Sequence, residues 1–175
     1  MKEKVSFADQ LTALDAQFAD QRTKLEELNK KLNEKFAVVR AEERRLYDEL
    51  MAIVAREGGG VVNYADGGVY CQIDPSVKDG VRIDYRAEYG SGSPSRNDGI
   101  ITKAEETAED DPITDFQTLQ KGYQELMSYA ALVSAAQKVV DTYIGYQQRL
   151  VNENNKLIKD LTRTEDDDDD DNGYW

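Results

Sequence analysis

Apolar residues recur at alternating steps of four and three along two stretches of nearly equal length, Phe7 to Ile53 and Phe116 to Leu161. This spacing lays an apolar seam along one side of an α-helix and predicts coiled-coil packing. The first seam reads Phe7, Leu11, Leu14, Phe18, Gln21, Leu25, Leu28, Leu32, Phe36, Val39, Glu43, Leu46, Leu50 and Ile53. Two consecutive steps of four between Leu28 and Phe36 form a stutter, which relaxes left-handed supercoiling. The second seam reads Phe116, Leu119, Tyr123, Leu126, Ala130, Val133, Gln137, Val140, Ile144, Gln147, Val151, Asn154, Ile158 and Leu161. Eleven of these fourteen positions are apolar, too many for chance. At 1.5 Å per residue each helix is roughly 70 Å long.

The ends of the helices are marked by local chemistry. No Gly or Pro occurs between Lys2 and Glu57, and Gly58-Gly59-Gly60 then stops the first helix. Asp111-Pro112 suits the start of the second, with Asp as N-cap and Pro in the first turn. Gly122 and Gly145 each weaken that helix by about 1 kcal/mol; close helix approach and a tolerated surface position are both open. Between the helices the period changes to two. Val81, Ile83, Tyr85, Ala87 and Tyr89 alternate with Arg82, Asp84, Arg86 and Glu88, a half-buried strand. Val61 to Tyr64 and Val69 to Ile73 read as two more strands, joined by a turn at Asp66-Gly67-Gly68. The stretch from Asp74-Pro75 to Asp79-Gly80 makes the next connection. Residues 90–99 have the composition of a flexible loop, and Ile100 and Ile101 suit a short fourth strand.

Folding the chain back about its middle pairs residues whose numbers sum to about 168, which sets Phe7 by Leu161, Ile53 by Phe116 and Gln21 by Gln147. The expected fold is therefore mainly α with a small β insert. A long antiparallel helical hairpin carries a three- to four-stranded antiparallel meander at its tip and a disordered acidic C-terminal tail. The expected divisions are helix 1 over 1–57, the insert over 58–111, helix 2 over 112–163 and the tail over 164–175. Ala136, Tyr143, Leu150 and Leu157 add a second stripe to helix 2, which asks for a further partner and predicts a homo-oligomeric bundle. The order helix, meander, helix resembles that of prefoldin subunits, in which the hairpins assemble the oligomer and the coils grip clients. That resemblance is one of arrangement and implies an assembly-chaperone role.

Charge and residue usage exclude several classes. The net charge is −13, of which Glu165 to Asp171 hold −7, leaving −6 for the other 168 residues. Non-specific nucleic-acid binding usually needs a basic surface, which this balance does not supply. The chain has no histidine and one cysteine, so Ser-His-Asp catalysis, Cys-His catalysis and a disulfide within the chain are absent. Cys71, in an alternating apolar stretch, reads as a small buried hydrophobe. Neither GxxxxGK[ST] nor GxGxxG is present, so no nucleotide site is indicated and no cofactor is expected. The first residues lack an apolar signal core and no run of about 18 apolar residues exists, which predicts a soluble, cytoplasmic protein without a membrane span.

The acidic end carries the strongest functional signal. Glu165, Asp166, Asp167, Asp168, Asp169, Asp170 and Asp171 precede Asn172-Gly173, and Tyr174 and Trp175 follow. A solubilising tail has no need of aromatic rings. Acidic residues leading to an aromatic pair suit capture by a protein partner with an apolar pocket and a basic rim. This segment resembles the acidic C-terminal tails of bacterial and phage single-stranded DNA-binding proteins, which recruit replication and repair partners. The body departs from that family's β barrel.

Helix 1 holds Arg22, Lys24, Lys30, Lys31, Lys35, Arg40, Arg44 and Arg45 against five acids in the same span. A solvated face with intrahelical ion pairs is the simple reading. In an antiparallel hairpin the tail, reaching about 40 Å, could instead fold back on Arg22 to Lys35 and mask a polyanion site. Arg82, Arg86 and Arg96 interleave with Tyr64, Tyr70, Tyr85 and Tyr89 in the insert, a pattern that can stack bases but that nearby acids neutralise.

The function expected from these features is a non-enzymatic oligomeric scaffold, adaptor or assembly chaperone. Its seam residues Leu11, Phe18, Leu25, Leu32, Val39, Leu46, Phe116, Tyr123, Val133, Val140, Ile144 and Val151 hold it together, and its tail binds a protein. The alternatives are a phage-type accessory of DNA transactions with an autoinhibitory tail, and an acidic mimic of DNA that blocks a DNA-binding enzyme.

Overall fold

The computed structural model of the protein describes residues 4–59, 61–63, 69–86, 96–103 and 113–171. Two long helices, α1 (Phe7–Glu57) and α2 (Phe116–Asp171), flank four strands: β1 (Val61–Asn63), β2 (Val69–Ile73), β3 (Gly80–Arg86) and β4 (Arg96–Thr102). Helix α1 starts at the first residue of its seam and stops at the glycine run. The Ser6 side chain accepts the Asp9 N–H at 3.1 Å. Gly58 takes a left-handed conformation (φ 78°), and the Gly58 and Gly59 N–H groups donate to the Ala55 and Val54 carbonyls. Helix α2 begins later than Asp111-Pro112, which lies outside the described residues. Its N-cap is Asp115, whose carboxylate accepts the Thr118 N–H at 2.7 Å and the Thr118 hydroxyl at 2.8 Å. Ile113 stays out of the helix and packs against the cluster of Leu25, Leu32, Leu119 and Leu126. At its other end α2 runs on to Asp171, through acidic residues expected to be irregular. Extending a formed helix needs no new nucleus.

The two helices run parallel, which overturns the hairpin. The Tyr123 hydroxyl donates to the Leu28 carbonyl at 3.0 Å, Arg45 donates to Gln137, and Arg56 donates to Gln147 at 3.3 Å. Tyr143 donates to Glu57, and the Phe36 and Tyr129 rings stack with centroids 6.2 Å apart. Partner numbers rise together from Leu28 and Tyr123 to Arg56 and Gln147, and the four hydrogen bonds span separations of 95, 92, 91 and 86. The pairing thus keeps a constant difference of about 91 instead of a constant sum, as parallel helices in register must. Gln21 and Gln147 do not meet. Gln147 lies beside Arg56, while Gln21 faces an open groove near Thr114. Parallel elements need a crossover. Thr102 stands level with Glu43, to which it bonds, and Thr114 stands beside Leu25.

The sheet is a four-stranded antiparallel meander in the order β1-β2-β3-β4. It does not cap a tip; it lies along the flank of the helix pair. Cys71, Val81, Ile83 and Ile101, all fully buried, pack against Leu46, Leu50, Ile53 and Val54 of α1 and Val133, Ala136, Val139, Val140 and Tyr143 of α2. Each large apolar side chain so buried contributes about 1.5–3 kcal/mol. The period-2 pattern of β3 decides its two faces, with Val81 and Ile83 inward and Arg82 outward. Arg82 reaches Asp74, 3.0 Å away, across the β2–β3 connection. Strand β4 takes in Arg96–Gly99, four residues that composition assigns to the loop. They pair with β3 from Arg86 to Ile83. Gly99 is needed there, because a Cβ would stand 2.6 Å from Leu132 Cδ1. Ala87, Tyr89 and the Asp66-Gly67-Gly68 turn lie outside the described residues. A second, smaller cluster joins the helices below the sheet: Leu25, Leu32, Leu119 and Leu126, with Leu28, Phe36, Val39, Ile113 and Tyr123 around it.

Candidate functional site

Because α2 starts level with Leu25 and α1 stops level with Gln147, each helix outruns its partner at one end. Phe7–Lys24 project beyond the start of α2, and residues 149–171 project beyond the end of α1. At 1.5 Å per residue the projections measure about 27 Å and 34 Å. Both carry seam residues with nothing to cover them. Phe7 is 75 % exposed and Phe18 60 %, with Leu11 and Leu14 between them. At the other end Leu157 is 58 % and Leu161 67 % exposed, with Leu150, Val151 and Ile158 also open. A repeated apolar stripe left exposed on a helix marks a candidate interaction surface.

The predicted seam therefore divides. Leu25, Leu32, Leu46, Val133 and Val140 are buried, and Val39 and Tyr123 are half-buried against the two clusters. Leu11, Phe18, Phe116, Ile144 and Val151 are exposed. The second stripe on α2 divides as well. Ala136 and Tyr143 already have a partner in the core beneath the sheet, and only Leu150 and Leu157 remain open. The inner half of this stripe is thus covered by the chain's own sheet, and only its outer end is left without cover.

The step where α2 begins on α1 forms an open groove of about 500 Å³, lined by Phe18, Arg22 and Leu25 of α1 and by Thr114 and Phe116. A second depression, lined by Glu26, Asn29, Lys30 and Asn33 among others, runs along α1 alone and is wide open.

The basic residues of α1 do not converge. At about 100° per residue, Lys24, Lys31 and Lys35 fall to one side of the seam and Arg22, Arg40 and Arg44 to the other. Several are engaged. Lys24 pairs with Glu27 at 3.8 Å, and Arg45 bridges Glu42 and Glu49 while reaching Gln137. The Lys35 ammonium stands 5.8 Å from the Tyr123 ring centre, and Arg40 lies 5.4 Å from that of Phe36. Lys30 and Lys31 are exposed. The acidic run is remote from all of them. Asp166 lies about 65 Å along α2 from Tyr123, and residues 172–175 could add at most about 14 Å. Tyr174 and Trp175 lie outside the described residues, as do Tyr64, Glu88 and Tyr89.

One polar residue of the seam has a structural task. Glu43 is 4 % exposed, and its carboxylate accepts both the backbone N–H and the hydroxyl of Thr102, each at 2.9 Å. It ties the last residue of β4 to α1. In the sequence Glu43 is only a break in an apolar stripe. Nothing in the spacing names Thr102. Cys71 is fully buried and its sulfhydryl faces the Leu50 carbonyl at 3.8 Å. Burial pushes its pKa up to about 12.

Among the described residues, no group of three or more Cys, Asp or Glu is placed to hold a metal ion, and no helix is long and apolar enough to cross a membrane. No protein-family model, curated protein or solved structure matches the chain.

Proposed function

We propose that this protein is a non-enzymatic scaffold or adaptor that self-associates through its helices and offers its acidic, aromatic-ended C-terminal segment to a protein partner. One observation carries the reading: seam residues stand in water at both ends of an otherwise well-packed helix pair. Phe7, Leu11, Leu14 and Phe18 repeat at coiled-coil spacing on one projection, and Leu150, Leu157 and Leu161 do so on the other. The acidic run begins four residues after Leu161, the last apolar residue of the second projection, so association through the helices and capture through the segment use different side chains. Glu165 to Asp171, Tyr174 and Trp175 supply charge and rings for a partner with a basic, apolar pocket.

Light scattering and a truncation test this reading. The full chain is expected to exceed the monomer mass at micromolar to millimolar concentration. A chain lacking Glu165–Trp175 is expected to keep that mass and to lose a protein retained by the full chain in affinity capture. A monomer at every concentration, or the same captured proteins with and without the segment, refutes it.

A further inference from the structure

We infer that the two projecting helix ends are complementary halves of one joint, so that copies of the chain add head to tail. The inference rests on the self-association proposed above and specifies its surface and geometry. Three observations carry it.

The first is spacing. Phe7, Leu11, Leu14 and Phe18 follow steps of four, three and four, and so do Leu150, Asn154, Leu157 and Leu161. Setting one series against the other in parallel places Phe7 by Leu150, Leu14 by Leu157 and Phe18 by Leu161. Three of the four layers are then apolar. Val151 and Ile158 flank them.

The second is direction. The projections leave opposite ends of a parallel pair. A second copy moved along the common axis brings its α1 projection beside the α2 projection of the first, in the same parallel sense as within the chain. Such a contact uses two different surfaces and does not close on itself. Glu165–Asp168 of α2 then come level with the open step of the next copy, where Phe18, Thr114 and Phe116 line the groove.

The third is charge. Residues 7–20 contain Asp9, Asp15 and Asp20 and no basic residue. Residues 149–163 contain Arg149, Lys156, Lys159 and Arg163 against Glu153 and Asp160, and the acidic run Glu165–Asp171 follows at the outer end of the projection. Pairing two α1 projections would bring aspartates together, whereas in the mixed register Asp15 and Asp20 fall level with Ile158–Lys159 and Arg163, and Glu165–Asp167 with Arg22–Lys24. The mixed pair is thus complementary along the joint, and flanking charges of this kind set the choice of partner in coiled coils. The register advances each copy by about 52 residues of helix, or roughly 80 Å.

Two charge substitutions on the projections, Leu14→Glu and Leu157→Glu, test the joint. Both sites are exposed in the single chain, so each variant should retain its circular dichroism and melting profile. The unaltered protein is expected to grow in average mass without limit as its concentration rises, and the growth should weaken with added salt. Electron micrographs should show threads with an axial repeat near 80 Å. Each variant alone should be monomeric, and an equal mixture should stop at a dimer, because each supplies the intact half that the other lacks. A closed oligomer that neither variant disturbs overturns the head-to-tail joint while leaving self-association standing. A dimer lost with only one of the two variants overturns it too, since that marks a joint of like ends. A monomer under all conditions overturns both.

Discussion

Replacing each of the two glycines inside α2 with alanine should have opposite effects, and the difference reads out how the helices face each other. Alanine is favoured over glycine in a helix interior by about 1 kcal/mol. Gly145 is exposed and nothing lies within 4 Å of a Cβ built on it. Gly145→Ala should therefore gain the full propensity, raising the melting temperature by about 2–4 °C for a chain of this size. At Gly122 the same methyl would stand 2.8 Å from Leu32 Cδ2. Leu32 is 2 % exposed and held among Leu25, Leu119 and Leu126, so it cannot swing into solvent. Overpacking of this kind costs about 1–3 kcal/mol, which cancels or exceeds the propensity gain. Gly122→Ala should leave stability unchanged or lower it by up to about 2 kcal/mol. Urea and thermal melts followed by circular dichroism would measure both. A double-mutant cycle makes the test specific. Leu32→Ala alone should cost about 2–5 kcal/mol. In that background the Gly122→Ala methyl enters vacated space and should become stabilising, with a coupling of about 1–3 kcal/mol. Equal gains at both glycines together with an additive cycle would refute the contact. With it would fall the parallel register, because an antiparallel pairing sets Gly122 near Leu46.

Three further outcomes follow from single sites. Glu43→Ala should destabilise by about 2–4 kcal/mol, since it removes two hydrogen bonds to a carboxylate and strands the Thr102 N–H, whereas Glu43→Gln should lose about half as much. Equal losses in urea melts would contradict the assignment. Cys71, with its thiol pKa pushed up to about 12 by burial, should react with a thiol reagent at neutral pH only as fast as the core opens. Labelling as rapid as that of a free small thiol would refute its burial. Asp74 is held below the usual carboxylate range by the Ser76 hydroxyl and N–H and then by Arg82, and Asp115 by the Thr118 N–H and then its hydroxyl. A pKa depressed by folding gives stability that is full above the unfolded value and is lost as pH falls through the folded one. Melting temperature should thus hold at neutral pH and fall below about pH 4. Asp74→Asn with Asp115→Asn should be less stable at neutral pH and shallower in acid. An unchanged acid slope would show that neither carboxylate contributes.

The sequence discloses what is decided locally. The glycine run after Glu57 marks the end of α1 because a cap acts within one turn, and the alternation of Val81, Arg82 and Ile83 sets the faces of β3 without reference to anything else. The direction of pairing is hidden. A stripe of alternating fours and threes looks much the same read either way, so equal lengths favour a hairpin on the assumption that both helices are covered throughout. The crossover depends on where β4 ends, and that is fixed by Glu43 bonding Thr102 and by Leu132 packing on Gly99. Those contacts join residues far apart in the chain and of ordinary type. The partner of Ala136 and Tyr143 was hidden for the same reason: a second apolar stripe calls for cover but does not distinguish a sheet of the same chain from another subunit. Of the candidate surface, the apolar residues of both projections were legible. Their lack of cover was not, because it follows from the stagger between the helices.

Parallel helices joined through a sheet fold under a different entropic rule from a hairpin of equal helix content. A hairpin closes from its turn, and each contact shortens the loop for the next. Here the hydrogen bonds between α1 and α2 join residues 86 to 95 apart, so the first of them must close nearly the whole intervening chain. Closure entropy rises with loop length, and folding slows as contacts become more distant in sequence. The meander, whose neighbouring strands are close in the chain, shortens that loop when it forms on α1. Its formation should then set the pace for the whole molecule. During synthesis at about 5–20 residues per second, α1 would stand without its mate for several seconds. A mostly helical protein of this design should refold at the rate of its small sheet.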